Sequence, residues 1–432
     1  MKKANLPKIL KLNNNLSCLF YNSSELITTT VLVLVKTGTD YENKQLNGIS
    51  HFIEHLFFKG TKNYPSPQAL SLELDKIGAD YNAFTSYEYT GYYIKTLSEN
   101  LERAIYFMSE MLTNPIFDQS ELEKERLVIL EEINYHYDTP LNFIFDETLK
   151  LAYEDQPAGW SILGTKDTLF KINQDEIKKY FFNNYSAKNS LIVITGNFDF
   201  NKAKNYINKY FKNYNNKKPP AKFKFKESVL KPKVQVIQRQ KIKQAHLVLF
   251  LKTKGLNFLN DRRLSLGLLT SILGYGFSSR MFRVLREELG ITYYLKVSND
   301  LYSDRGYIYI QSGSNLDKIY LTINKIINEL IKIKNEKITL EEIEKSKSLL
   351  ETSILTLVES SLSVALFYGL DYLLLNKILS PYNYLEKIKK LNEINLKKEI
   401  NNWIKKENLV FSILSPQRLD KNKIFKIINN LS

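Results

Sequence analysis

Two histidines and one glutamate form the most distinctive chemical pattern in the chain. His51 and His55 stand four residues apart in GISHFIEHLFFKGT, and Glu54 lies between them. On an α-helix, residues three and four apart share one face, so these side chains would converge on one point. Imidazole pairs at this spacing suit Zn²⁺, and the carboxylate is placed to take a proton from an attacking water. The order H-x-x-E-H inverts the commoner H-E-x-x-H motif and predicts a helical zinc site with Glu54 as the base.

The alternative is that both histidines are partly buried residues of an ordinary amphipathic helix. With four histidines in 432 residues, about three chains in a hundred would hold such a pair by chance, and the required glutamate lowers this about tenfold. The zinc interpretation is therefore favoured. The other two histidines, His136 and His246, lie away from the motif and are predicted to be structural.

A catalytic zinc needs a third protein ligand and one open coordination position. Cys18 is the only cysteine, so the metal has to use histidine and carboxylate ligands. The segment ELEKERLVILEEI offers Glu125, Glu131 and Glu132. Adjacent glutamates on a helix point about 100° apart, so not all of them can face the metal. Glu125 and Glu132 are seven residues apart and share a face, but spacing alone leaves the choice open.

The elements that must position these residues follow from hydrophobic periodicity and capping signals. A buried strand, TTTVLVLVKTG, precedes the histidine helix. The segment SPQALSLELDKIGAD predicts a helix with Ser66 as N-cap and Gly78 at its end. A strand pair around YNAFTSYEYTGYYIKTL and two helices follow, the second capped by Ser120. Another buried strand, SLIVITGNFD, closes this half of the chain.

The second half repeats the first at a separation of about 220 residues, which indicates duplication. The paired positions are Val31 with Leu247, Glu121 with Glu342 and Ile192 with Val410. Each half is predicted to be an α+β unit in which two or three long helices pack on one face of a sheet. Ser353 occupies the position of Glu132 and no histidine pair recurs, so only the first half can hold the metal.

Length and composition set the expected domain organisation. A chain of 432 residues with 44% hydrophobic residues is expected to form two globular domains. Residues 214–233 mix Pro, Asn and Lys without apolar periodicity and predict a linker. The expected domains are therefore residues 1–213, which carry the zinc site, and residues 234–432, which do not.

Charge and hydropathy bear on partners and location. Lys and Arg outnumber Asp and Glu by 61 to 46, but the lysines occur along the whole chain without a clustered recognition motif, so no nucleic-acid partner is predicted. No stretch reaches the roughly 18 uncharged apolar residues that span a bilayer. The N-terminus also lacks an apolar signal region. We expect a cytoplasmic protein that does not insert into membranes.

Three motifs together resemble those of the pitrilysin and mitochondrial-processing-peptidase family of insulinase-like, inverted-zincin metallopeptidases. They are the run from Gly48 to Thr61, NAFTS-x-E-x-T, and ER-x-VI-x-EE, and the likeness extends over the full two-domain length. The resemblance implies that Glu132, and not Glu131, is the third ligand, with Glu125 as its partner seven residues upstream. We predict that Glu125 orients a ligand. An exposed helical glutamate is the alternative. The resemblance also implies an α+β fold of two homologous α/β-roll domains, arranged like a clam, with one zinc ion per chain.

The same resemblance assigns roles outside the zinc motif. The family's edge strand beside the metal, to which an extended peptide adds as a further strand, is matched by Asn82, Ala83, Phe84 and Thr85. Core packing of Phe84 is the alternative. In SSRMFRVLREELGITYYL, Arg286 and Tyr293 match a pair that would hold a substrate carbonyl and stabilise the oxyanion. Spacing alone would instead make them a surface arginine and a core tyrosine.

The resemblance thus implies a zinc-dependent metalloendopeptidase that hydrolyses unfolded peptides or leader segments. A homodimer, or a heterodimer with a related subunit, is expected. The alternative is a non-catalytic subunit that binds peptides or scaffolds a partner. Such a subunit would normally have lost a ligand or the base, whereas both histidines, Glu54 and Glu132 are present here.

Overall fold

The computed structural model describes residues 6–431 of the chain. Its strands are β1 (Lys8–Lys11), β2 (Ser17–Asn22), β3 (Thr28–Val35), β4 (Asp80–Thr85), β5 (Thr90–Leu97), β6 (Ser190–Gly196), β7 (Lys233–Gln238), β8 (Ala245–Lys254), β9 (Thr292–Leu301), β10 (Arg305–Ser314) and β11 (Leu409–Ser415). Its helices are α1 (Ile49–Leu56), α2 (Pro67–Asp75), α3 (Leu101–Thr113), α4 (Gln119–Asp138), α5 (Pro140–Tyr153), α6 (Lys166–Lys171), α7 (Gln174–Asn184), α8 (Phe200–Phe211), α9 (Leu256–Leu259), α10 (Arg263–Gly274), α11 (Arg280–Phe282), α12 (Ile319–Asn335), α13 (Leu340–Leu357), α14 (Ser361–Leu375), α15 (Pro381–Lys389), α16 (Glu393–Trp403) and α17 (Lys421–Ile428). The strands and helices predicted for the first half are confirmed, including the cap of α2 by Ser66, whose side chain accepts a hydrogen bond from Ala69 N.

These elements form two units, and each unit combines segments from both halves of the sequence. Unit 1 contains the chain up to Asn134, Trp160–Lys224 and Leu355–Tyr382. Unit 2 contains Tyr135–Gly159, Phe225–Ile354 and the chain from Asn383 onwards. This division differs from the contiguous domains expected from the sequence, residues 1–213 and 234–432. The difference arises because the first half contributes α5 to unit 2 and the second half contributes α14 to unit 1.

Unit 1 is built on a six-stranded sheet with the order β1-β2-β6-β3-β5-β4. β2 and β6 are parallel, and the other neighbours are antiparallel. Val31, Val33 and Ile192 lie in the large core that this sheet forms with α1 and α3. The opposite face carries Leu32 and Leu34 and is covered by α14. Because both faces of β3 are apolar, both need cover, and the prediction that helices pack on only one face was wrong.

Unit 2 repeats this arrangement with a five-stranded sheet of order β7-β11-β8-β10-β9. β7 and β11 are parallel, and the other neighbours are antiparallel. Leu247, Leu249 and Ile308 lie in the core formed with α10 and α12. The other face is covered by α5, where Phe145 packs edge-to-face on Phe250 with ring centroids 5.2 Å apart. The predicted α+β class is confirmed in both units.

The duplication is visible in the equivalent antiparallel pairs β3–β6 and β8–β11. Val31 and Leu247 both face the main core of their unit, as the predicted pairing requires. Ile192 also faces the core of unit 1, but in unit 2 the core position is taken by Phe411. Because successive side chains of a strand alternate between faces, the predicted pairing of Ile192 with Val410 was wrong by one residue.

The predicted linker contains no helix or strand before β7 begins at Lys233. It is nevertheless held by specific contacts. In unit 1, Lys222 Nζ pairs with Glu88 Oε1 at 2.6 Å. In unit 2, the backbone N–H of Lys226 donates to Gln156 Oε1 at 3.1 Å. The linker is therefore a packed connection and not a freely solvated chain.

Within residues 6–431, no single helix has both the length and the apolar composition needed to cross a membrane. α13 and α14 meet that requirement only when they are counted together as a bent pair.

Candidate active site

The histidine helix α1 begins at a backbone position that glycine fits best. Gly48 has a φ of 96°, and a Cβ there would lie 2.8 Å from the carbonyl oxygen of Leu163. The first-turn amides are satisfied by Glu42, which accepts hydrogen bonds from Gly48 N at 2.8 Å and Ser50 N at 2.9 Å. Burial raises the pKa of the Glu42 carboxyl group, although these hydrogen bonds oppose the shift. Glu42 thus fixes the start of α1 with a group that complements the helix dipole when ionised.

α4 supplies the carboxylates that face α1. It begins at Gln119, and Asp118 Oδ1 accepts hydrogen bonds from Ser120 N at 2.8 Å and Glu121 N at 3.2 Å. Asp118 is therefore the N-terminal cap, because its short side chain reaches the free amides of the first turn. The predicted cap at Ser120 was wrong by two residues.

Arg126 ties α4 to its surroundings in unit 1. Its guanidinium donates to the carbonyl oxygen of Leu169 and, at 2.8 Å, to that of Ile172. The guanidinium also lies 5.4 Å from the centre of the Phe52 ring. Because Phe52 follows His51 in α1, this contact fixes the two helices relative to each other close to the histidines.

The three predicted ligands converge in unit 1. Glu132 Oε2 lies 3.6 Å from His51 Nε2 and 3.4 Å from His55 Nε2. All three ligand atoms are within 4.8 Å of one another. A tetrahedral zinc ion with bonds of about 2.0–2.1 Å separates its ligand atoms by about 3.3–3.5 Å. The donor set and its spacing therefore fit zinc, whereas the side chain of Glu131 is exposed and lies outside this group.

Glu125 orients one of the two histidines. Its Oε2 lies 3.0 Å from His55 Nδ1, and its Oε1 pairs with Lys59 Nζ at 2.7 Å. Burial opposes ionisation of Glu125, but the hydrogen bonds from His55 and Lys59 outweigh it and lower the pKa of Glu125. A carboxylate on Nδ1 leaves Nε2 as the nitrogen that would bind a metal ion, which is the usual arrangement around a zinc-bound histidine.

The two histidines differ in their electrostatic surroundings. Burial lowers the pKa of His51, so this imidazole is neutral at pH 7. Burial also opposes the charged form of His55, but hydrogen bonds to Glu125 and Glu132 outweigh it and raise the pKa of His55 to about 9. A metal that binds His55 therefore displaces a proton.

Among the residues that the structure describes, the Nδ1 atoms of the two histidines differ in hydrogen bonding, since only that of His55 has a partner. In the described part of the chain, the buried Nδ1 of His51 has no hydrogen-bond partner. The ring is placed by packing, which includes an edge-to-face contact with the His55 ring at a centroid distance of 4.6 Å. We infer that His55 is the more firmly oriented of the two imidazoles.

Glu54, the predicted base, is held by the edge strand β4. Thr85 Oγ1 donates a hydrogen bond to Glu54 Oε2 at 2.6 Å. Burial raises the pKa of Glu54, and the hydrogen bond from Thr85 partly offsets this shift. A raised carboxyl pKa brings the group closer to the range in which a general base works well.

The four predicted substrate-binding residues divide between the two faces of β4. Ala83 packs against the core on the α1 side, and Thr85 reaches Glu54. Phe84 packs with the cluster on the α14 side, so its ring serves core packing, as the alternative proposed. Asn82 is exposed, and its Oδ1 accepts a hydrogen bond from Ala83 N at 2.8 Å. Of these side chains, only that of Thr85 bonds to a predicted catalytic residue.

Arg286 and Tyr293 both lie in unit 2. Arg286 is in a π-helical segment, Arg283–Glu288, and its guanidinium donates to the carbonyl oxygens of Thr292, at 3.1 Å, and Tyr293. Tyr293 is 52% exposed, and its hydroxyl donates to Asn315 Oδ1 at 3.0 Å. Tyr293 is therefore not a core tyrosine. Arg286 stabilises the backbone around Tyr293 through these hydrogen bonds.

The side chains of His51, His55 and Glu132 are called the zinc-binding group below, after the metal that they are predicted to hold. The remaining two histidines lie outside this group. His136 Nε2 lies 2.9 Å from Asp146 Oδ2, and His246 Nδ1 lies 3.0 Å from the Tyr294 hydroxyl. Sequence reasoning missed Glu42, Lys59 and the bond between Thr85 and Glu54. Lys59 lies in the turn after α1, which ends at Leu56, so helical spacing gave no signal for its contact with Glu125.

Comparison with known proteins gives two matches to protein-family models. Residues 20–166 match the model described as insulinase, peptidase family M16. Residues 171–350 match the model described as the peptidase M16 inactive domain. The first match contains the zinc-binding group, and the second lies largely in the part of the chain that lacks it.

Similarity to individual proteins extends over most of the chain. The chain is 31% identical over 407 residues to the uncharacterized zinc protease YmxG of Bacillus subtilis, covering 93% of this chain and 97% of that protein. It is 30% identical over 384 residues to mitochondrial-processing peptidase subunit beta of Saccharomyces cerevisiae, covering 85% and 82%. The crystal structure of a protease from Helicobacter pylori has the same fold, with a TM-score of 0.88 at 24% identity, covering 95% of this chain and 100% of that one.

Proposed function

Since this chain belongs to the insulinase family of peptidases, family M16, we propose that it is a zinc-dependent metalloendopeptidase acting on unfolded peptides or leader segments. The observation that carries the proposal is the convergence of two imidazoles and a carboxylate at metal-ligand spacing. In this proposal His51, His55 and Glu132 hold one zinc ion per chain, Glu125 orients His55, and Glu54 is the general base.

The chemistry divides between the metal and the protein. Bound zinc supplies a Lewis acid that polarises the scissile carbonyl and lowers the pKa of a water molecule. Glu54 takes the proton from the attacking water and returns it to the leaving amine. Because Thr85 engages Oε2 of Glu54, we assign the proton transfer to Oε1.

β4 supplies the substrate-binding edge in this proposal. It is the last strand in the order of its sheet, so one side of its backbone is unpaired within that sheet. A peptide that adds to this edge is held by backbone hydrogen bonds, which suits substrates of varied sequence. A folded domain keeps its backbone hydrogen bonds internal and cannot offer them. The proposed substrate is therefore an unfolded segment.

Arg286 and Tyr293 are assigned to stabilising the oxyanion that forms at the scissile carbon. The exposure of Tyr293 supports this role, because a hydroxyl that donates to a side chain at the surface can exchange that partner for a substrate. Arg286 donates to the backbone of Tyr293, so its contribution includes holding the tyrosine in place.

A non-catalytic subunit is the second candidate. It is favoured by the match of residues 171–350 to an inactive-domain model and by the name of the yeast relative, which is a subunit. The zinc-binding group weighs against it, because unit 1 keeps all three ligand side chains and the base. For either candidate we propose association with a second copy or with a related subunit.

Metal analysis combined with peptide digestion separates the two candidates. Protein purified without chelator is analysed for zinc and incubated with a pool of unstructured peptides, and products are mapped by mass spectrometry. The endopeptidase should contain about one zinc per chain, cut internal bonds, lose activity on chelation and regain it with zinc. Peptide binding without cleavage at full zinc occupancy would support the non-catalytic subunit.

A matched pair of substrates tests the edge-strand part of the proposal. The same sequence is offered as a stable folded domain and as a destabilised, unfolded variant. Cleavage should be confined to the unfolded form. Equal rates for both forms would contradict strand addition at β4 and leave the metal chemistry standing.

A further inference from the structure

We propose that Thr85 is a positioning residue for Glu54 and that it couples the bound peptide strand to the general base. This inference rests on the function proposed above. Thr85 Oγ1 donates to Glu54 Oε2 at 2.6 Å, and both side chains are partly buried. A hydrogen bond to a carboxylate is strengthened where access to water is reduced, so this contact restricts the orientation of Glu54.

The pairing of β4 with β5 shows which way the backbone of Thr85 points. Ser86 N donates to Tyr89 O at 2.8 Å, so these two residues form a hydrogen-bonded pair. Hydrogen-bonded and non-hydrogen-bonded pairs alternate along an antiparallel ladder. Thr85 and Thr90 are the next pair, so they are a non-hydrogen-bonded pair. The backbone N–H and C=O of Thr85 therefore point away from β5, towards the side on which a peptide would add.

Thr85 consequently contacts the bound peptide and the general base through two different groups. Its backbone faces the site of the added peptide, and its side chain bonds to the base. Only the χ1 torsion separates the hydroxyl group of a threonine from its backbone, and β-branching restricts that torsion. A peptide paired with Thr85 is therefore set at a defined distance from the Glu54 carboxylate.

Ala83 provides the contrast on the same strand. It is two residues away, so its backbone points to the same side as that of Thr85. Its methyl group packs against the core and cannot form a hydrogen bond. Of the four edge residues, only Thr85 therefore combines a backbone that faces the bound peptide with a side chain that bonds to the base.

A purely structural role for Thr85 makes a different prediction, which two substitutions can separate. Valine is isosteric with threonine and also favours strands, so Thr85→Val removes the hydroxyl group and keeps the strand. Thr85→Ser keeps the hydroxyl group. Thr90→Val is the matched control, because Thr90 Oγ1 donates at 3.0 Å to the carbonyl oxygen of Thr37 and not to Glu54.

Steady-state kinetics on an unstructured peptide give the first readout. Thr85→Val should lower kcat about 10–100-fold, the equivalent of one hydrogen bond to a charged group, with KM and zinc content unchanged. Thr85→Ser should keep kcat close to that of the unmodified protein. Thr90→Val should lower the melting temperature and leave kcat unchanged. In a Glu54→Gln background, Thr85→Val should add no further loss, because the two side chains act through one contact.

Infrared difference spectra give a second readout that needs no peptide. The spectrum of each protein is compared with that of the same protein carrying Glu54→Gln. This difference isolates the carboxylate stretch of Glu54. This band should shift in Thr85→Val and stay in place in Thr85→Ser. An unmoved band in Thr85→Val, a loss confined to KM, or an equal loss of kcat in Thr85→Ser would overturn the proposal. Absence of any cleavage by the unmodified protein would overturn the proposed function, and the infrared comparison would then decide the Thr85 contact alone.

Discussion

α4 of unit 1 and α13 of unit 2 occupy equivalent positions in the duplicated chain and are anchored in the same way. In α4, Arg126 donates to the carbonyl oxygens of Leu169 and Ile172, where α6 ends. In α13, Lys347 donates at 3.0 Å to the carbonyl oxygen of Lys389, the last residue of α15. Each long helix is therefore held in place by a buried cationic side chain that bonds to carbonyl oxygens at the C-terminal end of a later helix, α6 for α4 and α15 for α13.

The chemical residues of α4 are not repeated in α13. With Glu121 aligned to Glu342, Glu125 and Glu132 correspond to Ser346 and Ser353. The anchoring cation holds the fold and occurs in both units, whereas the carboxylates belong to the proposed zinc site and occur in one. The comparison shows that folding and chemistry depend on different positions of the same helix. Substitutions in the two units should therefore give different combinations of zinc loss, activity loss and instability.

Glu132→Gln should give the largest effect. It removes the charged member of the zinc-binding group, so zinc affinity should fall and peptide cleavage should be abolished. Equilibrium dialysis followed by metal analysis measures the zinc. Glu131→Gln is the matched control and should retain zinc, because Glu131 is exposed and outside the group. The opposite result for the two variants would show that Glu131 is the ligand.

Glu54→Gln should separate catalysis from metal binding within unit 1. The substitution removes the base but no ligand, so kcat should fall at least about 100-fold with zinc content unchanged. Parallel metal analysis and steady-state kinetics on one peptide provide the measurement. Near-normal turnover at full zinc occupancy would remove Glu54 from the mechanism.

Tyr293→Phe tests whether unit 2 contributes to catalysis without binding zinc. Loss of one oxyanion donor should lower kcat about 10–1000-fold and leave the zinc content unaltered. Tyr294→Phe is the control, since that hydroxyl bonds to His246 within unit 2. An unaltered kcat in Tyr293→Phe on several peptides would make unit 2 a structural partner only.

Glu342→Gln should give the smallest effect, and on stability alone. Arg280 Nε and Nη2 donate to the two carboxylate oxygens of Glu342 at 2.5 and 2.9 Å. Burial opposes ionisation of Glu342, but these hydrogen bonds outweigh it and lower its pKa from 4.5 to about 2. Because the pKa is lower in the folded state, the contribution is complete above pH 4.5 and is lost as the pH falls through about 2.

The measurement is the free energy of unfolding as a function of pH. At neutral pH, Glu342→Gln should cost about 1 kcal/mol, since the pair is partly solvated. The difference from the unmodified protein should shrink as the pH falls, with zinc content unchanged. Glu341→Gln, at an exposed neighbour, should show neither effect. A pH-independent difference would indicate that the ion pair does not stabilise unit 2.

Local patterns in the sequence predicted much of the fold and part of the candidate metal site. The apolar run of β3, the Ser66 cap of α2 and the spacing of His51 and His55 depend on neighbours in the chain, and the structure contains each element. The third ligand required more than local information. Spacing left several glutamates of α4 open, and the resemblance to a known family selected Glu132.

Contacts between distant segments were not predictable in this way. α14 is apolar around most of its circumference, which indicates burial but does not identify the sheet that it covers. Glu42 caps α1 through a loop whose path no periodicity reveals. The hydrogen bond between Thr85 and Glu54 depends on β4 lying beside α1, and this arrangement is a property of the whole of unit 1.

The exchange of α5 and α14 has a consequence for how this duplicated chain can evolve. Residues 1–213 alone lack α14, so the apolar face formed by Leu32, Leu34 and Val193 would meet water. Residues 234–432 alone lack α5 and would expose Phe250 in the same way. Neither copy of the ancestral repeat can therefore be deleted, secreted or inherited separately without risk of aggregation. Each copy depends on a helix of the other for a covered sheet face, so we expect the two copies to be retained together.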